Sequence, residues 1–386
     1  MSETRSRLAD TIAMVILFLM ATGAVMVFSA DASLGHEFDL QHLYGFPGLR
    51  QILFFPVGVL VLFLASVPDY RFWRLRSQWY TSPTIWLLVV AFALLIVVLV
   101  PSVGTTVNQA RRWLRIPLGP VSLSFQPSEL AKWIMVFFMA GVCVKAGPDL
   151  KLYWKRFLPL CVLIGFVCAP IVVEDFGTAA FITLVSLTML IVAGVKWWHV
   201  LTLLPVGILG VMAALIQAPH RMQRLAAFLH PEWFARSVAY QANQSLIAIG
   251  SGGLWGKGLG QGISKYGHLP EDSTDFIFAI VGEELGLVGT LGIIALFILF
   301  IVLGLVVVTR CRDPFGRLLA AGIVLTIGIQ AALNIGVVTV VLPTKGIPLP
   351  FVSSGGTSML LSSAAVGVLL NIAARCKSDQ LDINPD

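Results

Sequence analysis

The sequence predicts an all-α polytopic membrane protein with about ten transmembrane helices. Of its 386 residues, 57% are hydrophobic and only 12% are charged, whereas an average soluble domain has roughly twice that charged share. The mean hydropathy is +0.88. Apolar runs of roughly 20 residues recur along the whole chain, each long enough to cross a hydrocarbon core of about 30 Å. We therefore expect a single transmembrane domain over residues 1–386.

Ten apolar runs define the expected helices, and polar or turn-forming segments separate them. The first run follows Arg5 and Arg7, as a signal peptide would. Its apolar part is too long for one and lacks a convincing cleavage site, so we expect it to be retained. The expected spans are 11–29, 50–67, 83–101, 127–145, 157–173, 177–195, 198–217, 276–309, 316–342 and 355–374.

The distribution of basic residues predicts that both termini are cytoplasmic. In that orientation the cytoplasmic segments hold 15 of the 26 basic and 8 of the 20 acidic residues. Most of these lie in short loops, where the excess of positive charge inside is informative. The cytoplasmic segments then carry a net +7 and the rest of the chain −1. The overall +6 is thus explained by topology, and without a clustered basic face we expect no nucleic-acid partner.

The five cysteines lie in the expected spans or on the cytoplasmic side. They are Cys143, Cys161, Cys168, Cys311 and Cys376. None lies in a long outer loop, and their spacing does not match a metal site. We therefore expect small packing residues and no structural disulfide.

Three outer segments are long: 30–49, 102–126 and 218–275. The last one, an extracytoplasmic loop between spans seven and eight, contains YQANQSLIAIGSGGLWGKGLGQG. The first half of this stretch suits a short helix lying in the membrane interface. The second half has seven glycines in thirteen residues, so its backbone is bent or closely approached. Both a flexible connector and a phosphate-binding nest fit it; the connector is favoured because no GKS or GKT signature follows.

Acidic residues cluster where the eighth span begins. The stretch HLPEDSTDFIFAIVGEELGLVG places Asp275 at the outer mouth of the span and Glu283 and Glu284 about two turns deeper. Carboxylates are costly in lipid and should face protein or a water-filled cavity. Capping of a helix N-terminus explains Asp272, but it does not explain the two glutamates. We therefore predict an outward-facing polar cleft.

A second charged motif, NQARRWLRIPLGPVSLSFQPSELAKW, is expected at the same depth. It supplies Arg111 and Arg112 outside, then Glu129 and Lys132 at the start of the fourth span. Glu129 alone is also explained as a helix-capping residue. Lys132 is harder to dismiss, because a lysine inside an apolar run needs a partner or an anionic ligand.

A third motif, VVEDFGTAAF, places Glu174 and Asp175 in an outer turn between the fifth and sixth spans. That turn should lie beside the same mouth. Cations and carboxylates would then surround one cavity, an arrangement suited to an anionic substrate in the outer leaflet.

Several long motifs, in order over nearly the whole chain, carry a family resemblance. RRW, FQPSELAKW, EDFGTA, GSGGLWGKGLGQG, LPEDSTDFIFAIVGEELGLVG and VLPTKGIPLPFVSSGGTSM together resemble the SEDS family (shape, elongation, division and sporulation proteins: FtsW, RodA and SpoVE). FIFAIVGEELG and LPTKG look more like the FtsW branch than the RodA branch. Two positions depart from the family pattern, since Ser354 stands where Tyr is usual and Glu174 where Pro is common.

The resemblance implies a peptidoglycan glycosyltransferase that polymerises lipid II at the outer face of the bacterial cytoplasmic membrane. It also implies a class B penicillin-binding transpeptidase and other division proteins as partners, at the septum. By position, Asp275 matches the family's catalytic aspartate. The expected substrate-binding residues, from the resemblance and the charged motifs together, are Arg111, Arg112, Glu129, Lys132, Asp175, Glu283, Ser353, Gly355 and Gly356.

The expected reaction joins a sugar 4-hydroxyl to an anomeric carbon that carries a polyprenyl diphosphate. It needs a base near the hydroxyl, for which Asp275 is the candidate. It also needs positive charge near the departing diphosphate, for which Arg111, Arg112 and Lys132 are the candidates. A divalent cation (Mg²⁺ or Mn²⁺) held by carboxylates such as Asp275 and Asp175 could share that work, and the sequence leaves this open.

The main alternative is a flippase that moves lipid II to the outer leaflet. Transporters place their polar groups near the midplane, often on broken helices within inverted repeats. Here the acids cluster at the outer end and no repeat is visible, so an enzyme is favoured. A purely structural scaffold would leave the buried charges unexplained. An elongation-type polymerase of the RodA kind is the alternative to a division role.

Overall fold

The computed structural model describes residues 2–31, 47–107, 110–118, 121–216, 219–234, 239–266, 269–271 and 273–375. The helices are α1 (Ser2–Asp31), α2 (Pro47–Ser66), α3 (Pro83–Leu99), α4 (Pro127–Ala146), α5 (Leu158–Glu174), α6 (Phe176–Val192), α7 (Trp197–Leu201), α8 (Leu204–Ile216), α9 (Pro219–Leu229), α10 (Tyr240–Gly252), α11 (Ile277–Arg310), α12 (Pro314–Val338) and α13 (Gly356–Arg375). The strands are β1 (Gly104–Val107), β2 (Ala110–Leu118) and β3 (Val121–Phe125).

Every predicted span falls on helix, and the helical polytopic class is confirmed. Eight helical segments of the described chain are long and apolar enough to cross a membrane, and α3 and α6 are shorter apolar helices. The seventh predicted span is divided, because α7 ends at Leu201 and α8 begins at Leu204. The cytoplasmic placement of the termini stays a prediction.

The helices pack around α4, α12 and α13, which are the most buried of the candidate spans. The most extensive helix–helix contact joins α2 to α13. A side chain at Gly367 of α13 would overlap the backbone carbonyl of Leu62 in α2, so a residue without Cβ is needed for this approach. The segment of α7 and α8 is almost entirely exposed, and in a membrane protein such an apolar surface faces lipid.

A three-stranded antiparallel sheet, in the order β1–β2–β3, precedes α4. It occupies the segment that the sequence predicted only as a long outer loop. Leu114 of β2 pairs with Gly104 of β1 on one side and with Phe125 of β3 on the other. Because α4 begins at Pro127, directly after β3, the sheet places Arg111 and Arg112 beside the N-terminus of α4.

The helix α11 spans 34 residues but has one non-helical residue, Gly286, with φ 67° and ψ −161°. Its first part, from Ile277 to Leu285, is thus a short helix of its own. The apolar run of residues does not reveal this break, since isolated glycines are tolerated inside helices.

The expectation about the cysteines is wrong at one position. Cys143, Cys161 and Cys168 are free thiols, whereas Cys311, directly after α11, is disulfide-bonded. The pairing of two thiols depends on the distance between their Cα atoms in the fold, which spacing along the sequence does not reveal.

Candidate active site

Asp275 lies in the turn that leads into α11. Its side chain is half-buried, and its backbone carbonyl accepts a hydrogen bond of 2.8 Å from Nδ2 of Asn334 in α12. The same Nδ2 donates to the carbonyl of Ile347, also at 2.8 Å. Asn334 therefore joins the turn before α11 to the loop that follows α12.

The predicted residues Ser353, Gly355 and Gly356 lie just before and at the start of α13. The hydroxyl of Ser353 donates to the carbonyl of Thr274 at 2.5 Å and accepts from the backbone N–H of Leu349 at 2.7 Å. A Cβ at Gly356 would lie 2.7 Å from the ring of Phe54. Ser353 thus holds the backbone beside Asp275, whereas Gly356 packs against α2. Contact of these three residues with a substrate stays a prediction.

The carboxyl of Asp275 is shifted toward its neutral form. Burial raises its pKa to about 7, and the nearby carboxylates of Glu271 and Asp175 add to the rise. The guanidinium groups of Arg112 and Arg224 act in the opposite direction. At neutral pH the carboxyl is therefore divided between its charged and neutral forms, as suits a group that takes up and releases a proton.

Arg112 and Asp175 meet, as the motifs predicted. Nη1 of Arg112 lies 3.2 Å from Oδ2 of Asp175, and its Nε donates to the carbonyl of Glu174 at 3.1 Å. Asp175 also caps the start of α6, since it accepts from the backbone N–H and the hydroxyl of Thr178 at 3.0 and 2.9 Å. The charges of Asp175 and Arg112 also act, in opposite directions, on the pKa of Asp275.

Arg111 is turned toward the sheet. Its Nε reaches the hydroxyl of Thr106 at 3.4 Å, while its backbone N–H donates to the carboxylate of Glu174 at 2.7 Å. Glu174 therefore accepts a hydrogen bond from the backbone near the start of β2. A shallow pocket joins Arg111 and Arg112 to Ser128, Glu174 and Asp175 on its polar side, and the ends of α3 and α5 form its apolar side.

Lys132 has protein partners. Its Nζ lies 2.7 Å from the carboxylate of Glu129 and donates to Oε1 of Gln330 at 3.0 Å. Lys132 and Glu129 are 2% and 6% exposed, so their charges neutralise each other inside the bundle. Of the two possibilities that the sequence left for Lys132, a partner or an anionic ligand, the structure supplies the partner.

Lys345, in the LPTKG motif, is a basic residue of the site that was not among the predicted site residues. It lies in the loop after α12 with its Nζ 5.2 Å from the centre of the Phe176 ring. Burial lowers its pKa, and the charge of Asp175 partly offsets this effect. The next residue, Gly346, is so close to Asp275 that a Cβ there would lie 2.8 Å from Oδ2. Lys345 thus lies beside Asp175, in the loop whose next residue contacts Asp275.

Gln330 and Asn334 were also missed. They lie one turn apart on α12, and they bind Lys132 and the backbone of Asp275 respectively. Both are nearly inaccessible to solvent. The signal that could have identified them is two amide side chains four residues apart in an apolar span, because that spacing places them on one face of the helix.

Glu283 and Glu284 do not line an open cleft, and this expectation is corrected. They are 1% and 0% exposed and are paired with Lys257 at 2.7 Å and Lys265 at 3.0 Å. Backbone N–H groups of residues 253–265, the Gly-rich loop, also bind both carboxylates. The loop is thus an anion nest for side chains of its own chain, and substrate contact by Glu283 stays a prediction that this geometry does not favour.

Binding of a divalent cation, which the sequence left open, stays a prediction. Among them no cluster of three or more His, Cys, Asp or Glu side chains is arranged to hold a metal ion. The carboxylate of Asp175 is already bound by Arg112 and Thr178. We therefore derive no catalytic step through a metal.

The fold and the site together define a polytopic membrane protein with a carboxyl of raised pKa beside basic side chains. The chain belongs to the family described as Cell cycle protein, the FtsW, RodA and SpoVE proteins, whose model matches residues 9–378. This confirms the family that the motifs indicated.

The chain is similar to curated proteins over most of its length. It is 39% identical to a protein of Coxiella burnetii named "Probable peptidoglycan glycosyltransferase FtsW", over 92% of this chain and 94% of the relative. It is 36% identical to "Stage V sporulation protein E" of Bacillus subtilis, over 96% and 98%.

Two solved structures share the fold. One is the rod shape determining protein RodA of Thermus thermophilus, with a TM-score of 0.63 and 25% identity over 96% of this chain and 97% of that chain. The other comes from a study titled "Structural coordination of polymerization and crosslinking by a peptidoglycan synthase complex", with a TM-score of 0.72 and 25% identity over 93% and 96%.

Proposed function

We propose that this protein is a peptidoglycan glycosyltransferase that polymerises lipid II into glycan strands at the outer face of the cytoplasmic membrane. The curated names of relatives 36–39% identical over more than nine-tenths of the chain support this activity. The structural observation that carries the proposal is the setting of Asp275. Asn334 fixes its backbone, Gly346 lies against its carboxyl group, and burial raises the pKa of that group to about 7.

In the proposed reaction Asp275 is the general base. Its carboxylate takes the proton of the acceptor's 4-hydroxyl while the hydroxyl oxygen forms a bond to the anomeric carbon of the donor. The bond from that carbon to the phosphate oxygen breaks, and its electron pair leaves with the polyprenyl diphosphate. A well-placed base contributes on the order of 10²- to 10⁴-fold in rate, most efficiently when its pKa is near the working pH, as it is for Asp275.

Positive charge is needed to stabilise the departing diphosphate. Arg112 and Lys345 are the best-placed cationic side chains for this role. Both are half-buried, and both interact with Asp175, so a phosphate oxygen could replace that carboxylate. Arg111 lies at the rim of the same pocket. Lys132 is neutralised by Glu129, so we assign it the role of fixing α4 against α12 instead of binding the leaving group.

The pocket beside the arginines is amphiphilic. Its polar wall contains Arg111, Arg112 and Asp175, while Leu95, Val98 and Ile171 belong to its apolar wall. The polar wall of this pocket supports contact with the charged head of a polyprenyl diphosphate sugar.

We further propose a class B penicillin-binding transpeptidase as the partner and the division septum as the site of action. The names of the FtsW relatives support the division role, and the similar chain from a peptidoglycan synthase complex supports association with a crosslinking enzyme. A fluorescent fusion of this protein should therefore concentrate at midcell; uniform labelling of the side wall would instead favour an elongation role.

The test uses purified protein in vesicles with labelled lipid II, with and without a class B transpeptidase. The proposal predicts glycan strands, separated by gel electrophoresis, and no transfer of intact lipid II between leaflets. Transfer without strands would overturn the proposal in favour of a flippase.

A further inference from the structure

The break in α11 leaves four backbone groups without their helical partners. In an unbroken helix the N–H groups of Leu287 and Val288 would bond to the carbonyls of Glu283 and Glu284. Gly286, with φ 67° and ψ −161°, interrupts that pattern. Unpaired backbone groups are costly inside a membrane protein, so these four need partners from elsewhere.

The Gly-rich loop supplies all four partners. The N–H groups of Lys257 and Gly258 donate to the carbonyls of Glu283 and Glu284 at 2.9 and 3.0 Å. In the other direction, Leu287 donates to the carbonyl of Gly253 at 2.9 Å and Val288 to that of Leu254 at 3.2 Å. The loop therefore replaces two missing helical hydrogen bonds by four bonds between segments.

The contact between the backbone of the Gly-rich loop and the backbone of α11 explains why glycines are needed at these positions. Gly256, at φ 79°, lies against the carbonyl of Glu284 and the N–H of Gly286, and a Cβ on it would overlap both. A Cβ on Gly252 would likewise overlap the carbonyl of Gly282. Two backbones that approach this closely have no room for side chains between them.

Two buried carboxylates hold the loop in place. Glu283 accepts from Nζ of Lys257 at 2.7 Å and from the N–H groups of Ile263 and Ser264 at 2.9 and 3.1 Å. These contacts tie both ends of the turn 257–264 to a single side chain on α11.

Glu284 ties the loop to α1 as well. It accepts from Nζ of Lys265 at 3.0 Å, from the N–H of Gly260 at 3.1 Å and from the hydroxyl of Ser29 at 2.6 Å. Lys265, 4% exposed, in turn donates to the backbone carbonyls of Ser29 and Gly260 at 3.0 and 2.9 Å. A buried lysine and glutamate that share this many hydrogen bonds form one rigid unit.

The short helix from Ile277 to Leu285 is thus anchored at both ends. Asn334 holds the backbone of Asp275 at one end, and the loop holds Glu283 and Glu284 at the other. Every residue from Ile277 to Glu284 is buried, so a displacement at one end is passed to the other.

We propose that residues 253–265 form a clamp on the break of α11, and that Glu284, Lys265 and Glu283 are positioning residues that hold Asp275 in its catalytic place. This inference rests on the proposed glycosyltransferase function. The clamp acts through the short helix and does not touch the substrate.

The test compares Glu284→Gln, Lys265→Met and the milder Ser29→Ala in the full-length protein with its transpeptidase. We expect Glu284→Gln and Lys265→Met to lower kcat for lipid II polymerisation at least about tenfold, with KM changed less than about twofold, as for loss of an interaction specific to the transition state. Ser29→Ala should lower kcat by a smaller factor. Asp149→Asn, in the exposed pair with Arg156, is the matched control and should behave as wild type.

A pH profile separates positioning from mere stability. Displacement of the short helix would admit water to Asp275, so the acid limb of the kcat profile should move to lower pH in Glu284→Gln. If kcat and the acid limb match wild type in Glu284→Gln and Ser29→Ala, the clamp does not position Asp275. A variant with less folded protein but an unchanged kcat per folded molecule would also overturn the proposal.

Hydrogen exchange tests the clamp without any activity. Amides 257–264 of the wild type should exchange slowly although they lie in a loop, and at least about tenfold faster in Glu284→Gln, because a broken interaction raises the open population. Fast exchange in an active wild-type protein would reject the clamp. Slow exchange in a protein that forms no glycan strands would instead reject the proposed function.

Discussion

The carboxyl of Asp275 sets the pH range in which the protein is expected to work. Burial raises its pKa to about 7, and only the charged form can accept a proton. Polymerisation should therefore be lost as the pH falls through 7, with kcat/KM dropping about tenfold per pH unit well below that value. Rates measured from pH 5 to 8 test this. A midpoint near 4, where an ordinary aspartate titrates, would contradict the assignment.

Lys345 is expected to act on the leaving group. Lys345→Met removes a cation beside Asp175 and should lower kcat/KM on the order of 10²-fold, the usual effect of deleting one charge-stabilising group. Lys345→Arg keeps the charge and should retain more activity. Lys151→Met, in the turn after α4, serves as the control. Equal activity of Lys345→Met and the control would remove Lys345 from the mechanism.

At this scale the sequence predicted the residues that stand in long motifs. Asp275, Arg112 and Asp175 were singled out in this way, and the structure brings the last two together as an ion pair. Lys345 and Asn334 were not identified, because their importance depends on which loop and helix lie against Asp275. That information is absent from any local pattern.

Among the elements, α4 and α12 are joined by the buried pair of Lys132 and Glu129 together with Gln330. Glu129→Gln should leave a buried lysine without its counter-charge and lower the free energy of unfolding by about 3–5 kcal/mol. Adding Lys132→Met to that variant should recover part of the loss, because neither charge then remains. Thermal unfolding in detergent measures the stability of the single and the double variant. A double variant less stable than Glu129→Gln alone would contradict this account.

The hydrophobic pattern predicted the transmembrane helices but neither the break in α11 nor the β-sheet. Apolar runs predicted every span, because each must satisfy its own backbone in lipid and is therefore helical. The break at Gly286 stayed hidden, since its backbone groups are satisfied by a loop about 30 residues earlier in the chain. The sheet of β1, β2 and β3 was missed because β1 and β3 are short and the pairing of β1 with β2 is irregular, with a register shift between Thr105 and Thr106.

For the whole molecule, the positive-inside bias predicts that the Gly-rich loop is extracytoplasmic. In a variant without native cysteines, Leu259→Cys lies at an exposed position of this loop and should react with a membrane-impermeant maleimide in intact cells or spheroplasts. A cysteine at exposed Leu152, on the predicted cytoplasmic side, is the control and should react only after lysis. The reverse pattern would invert the topology.

The fold class followed from composition, and the family from the order of its motifs. The sequence did not reveal which charged residues are paired inside the protein and which are available for catalysis. The sequence grouped Glu283, Lys132 and Asp275 in one hydrated cleft, whereas the structure pairs the first two inside the protein and leaves Asp275 half-buried. Partner choice among buried charges is decided by tertiary packing, which an unaligned sequence does not encode locally.

The measurement that tests the central claim most directly is the yield of glycan strands made from lipid II by purified Asp275→Ala protein with its transpeptidase. The variant should fold, as judged by its thermal unfolding, and its polymerisation rate should fall by at least about 10²-fold relative to wild type. Strands formed at the wild-type rate by a folded Asp275→Ala protein would contradict the assignment of this residue as the catalytic base.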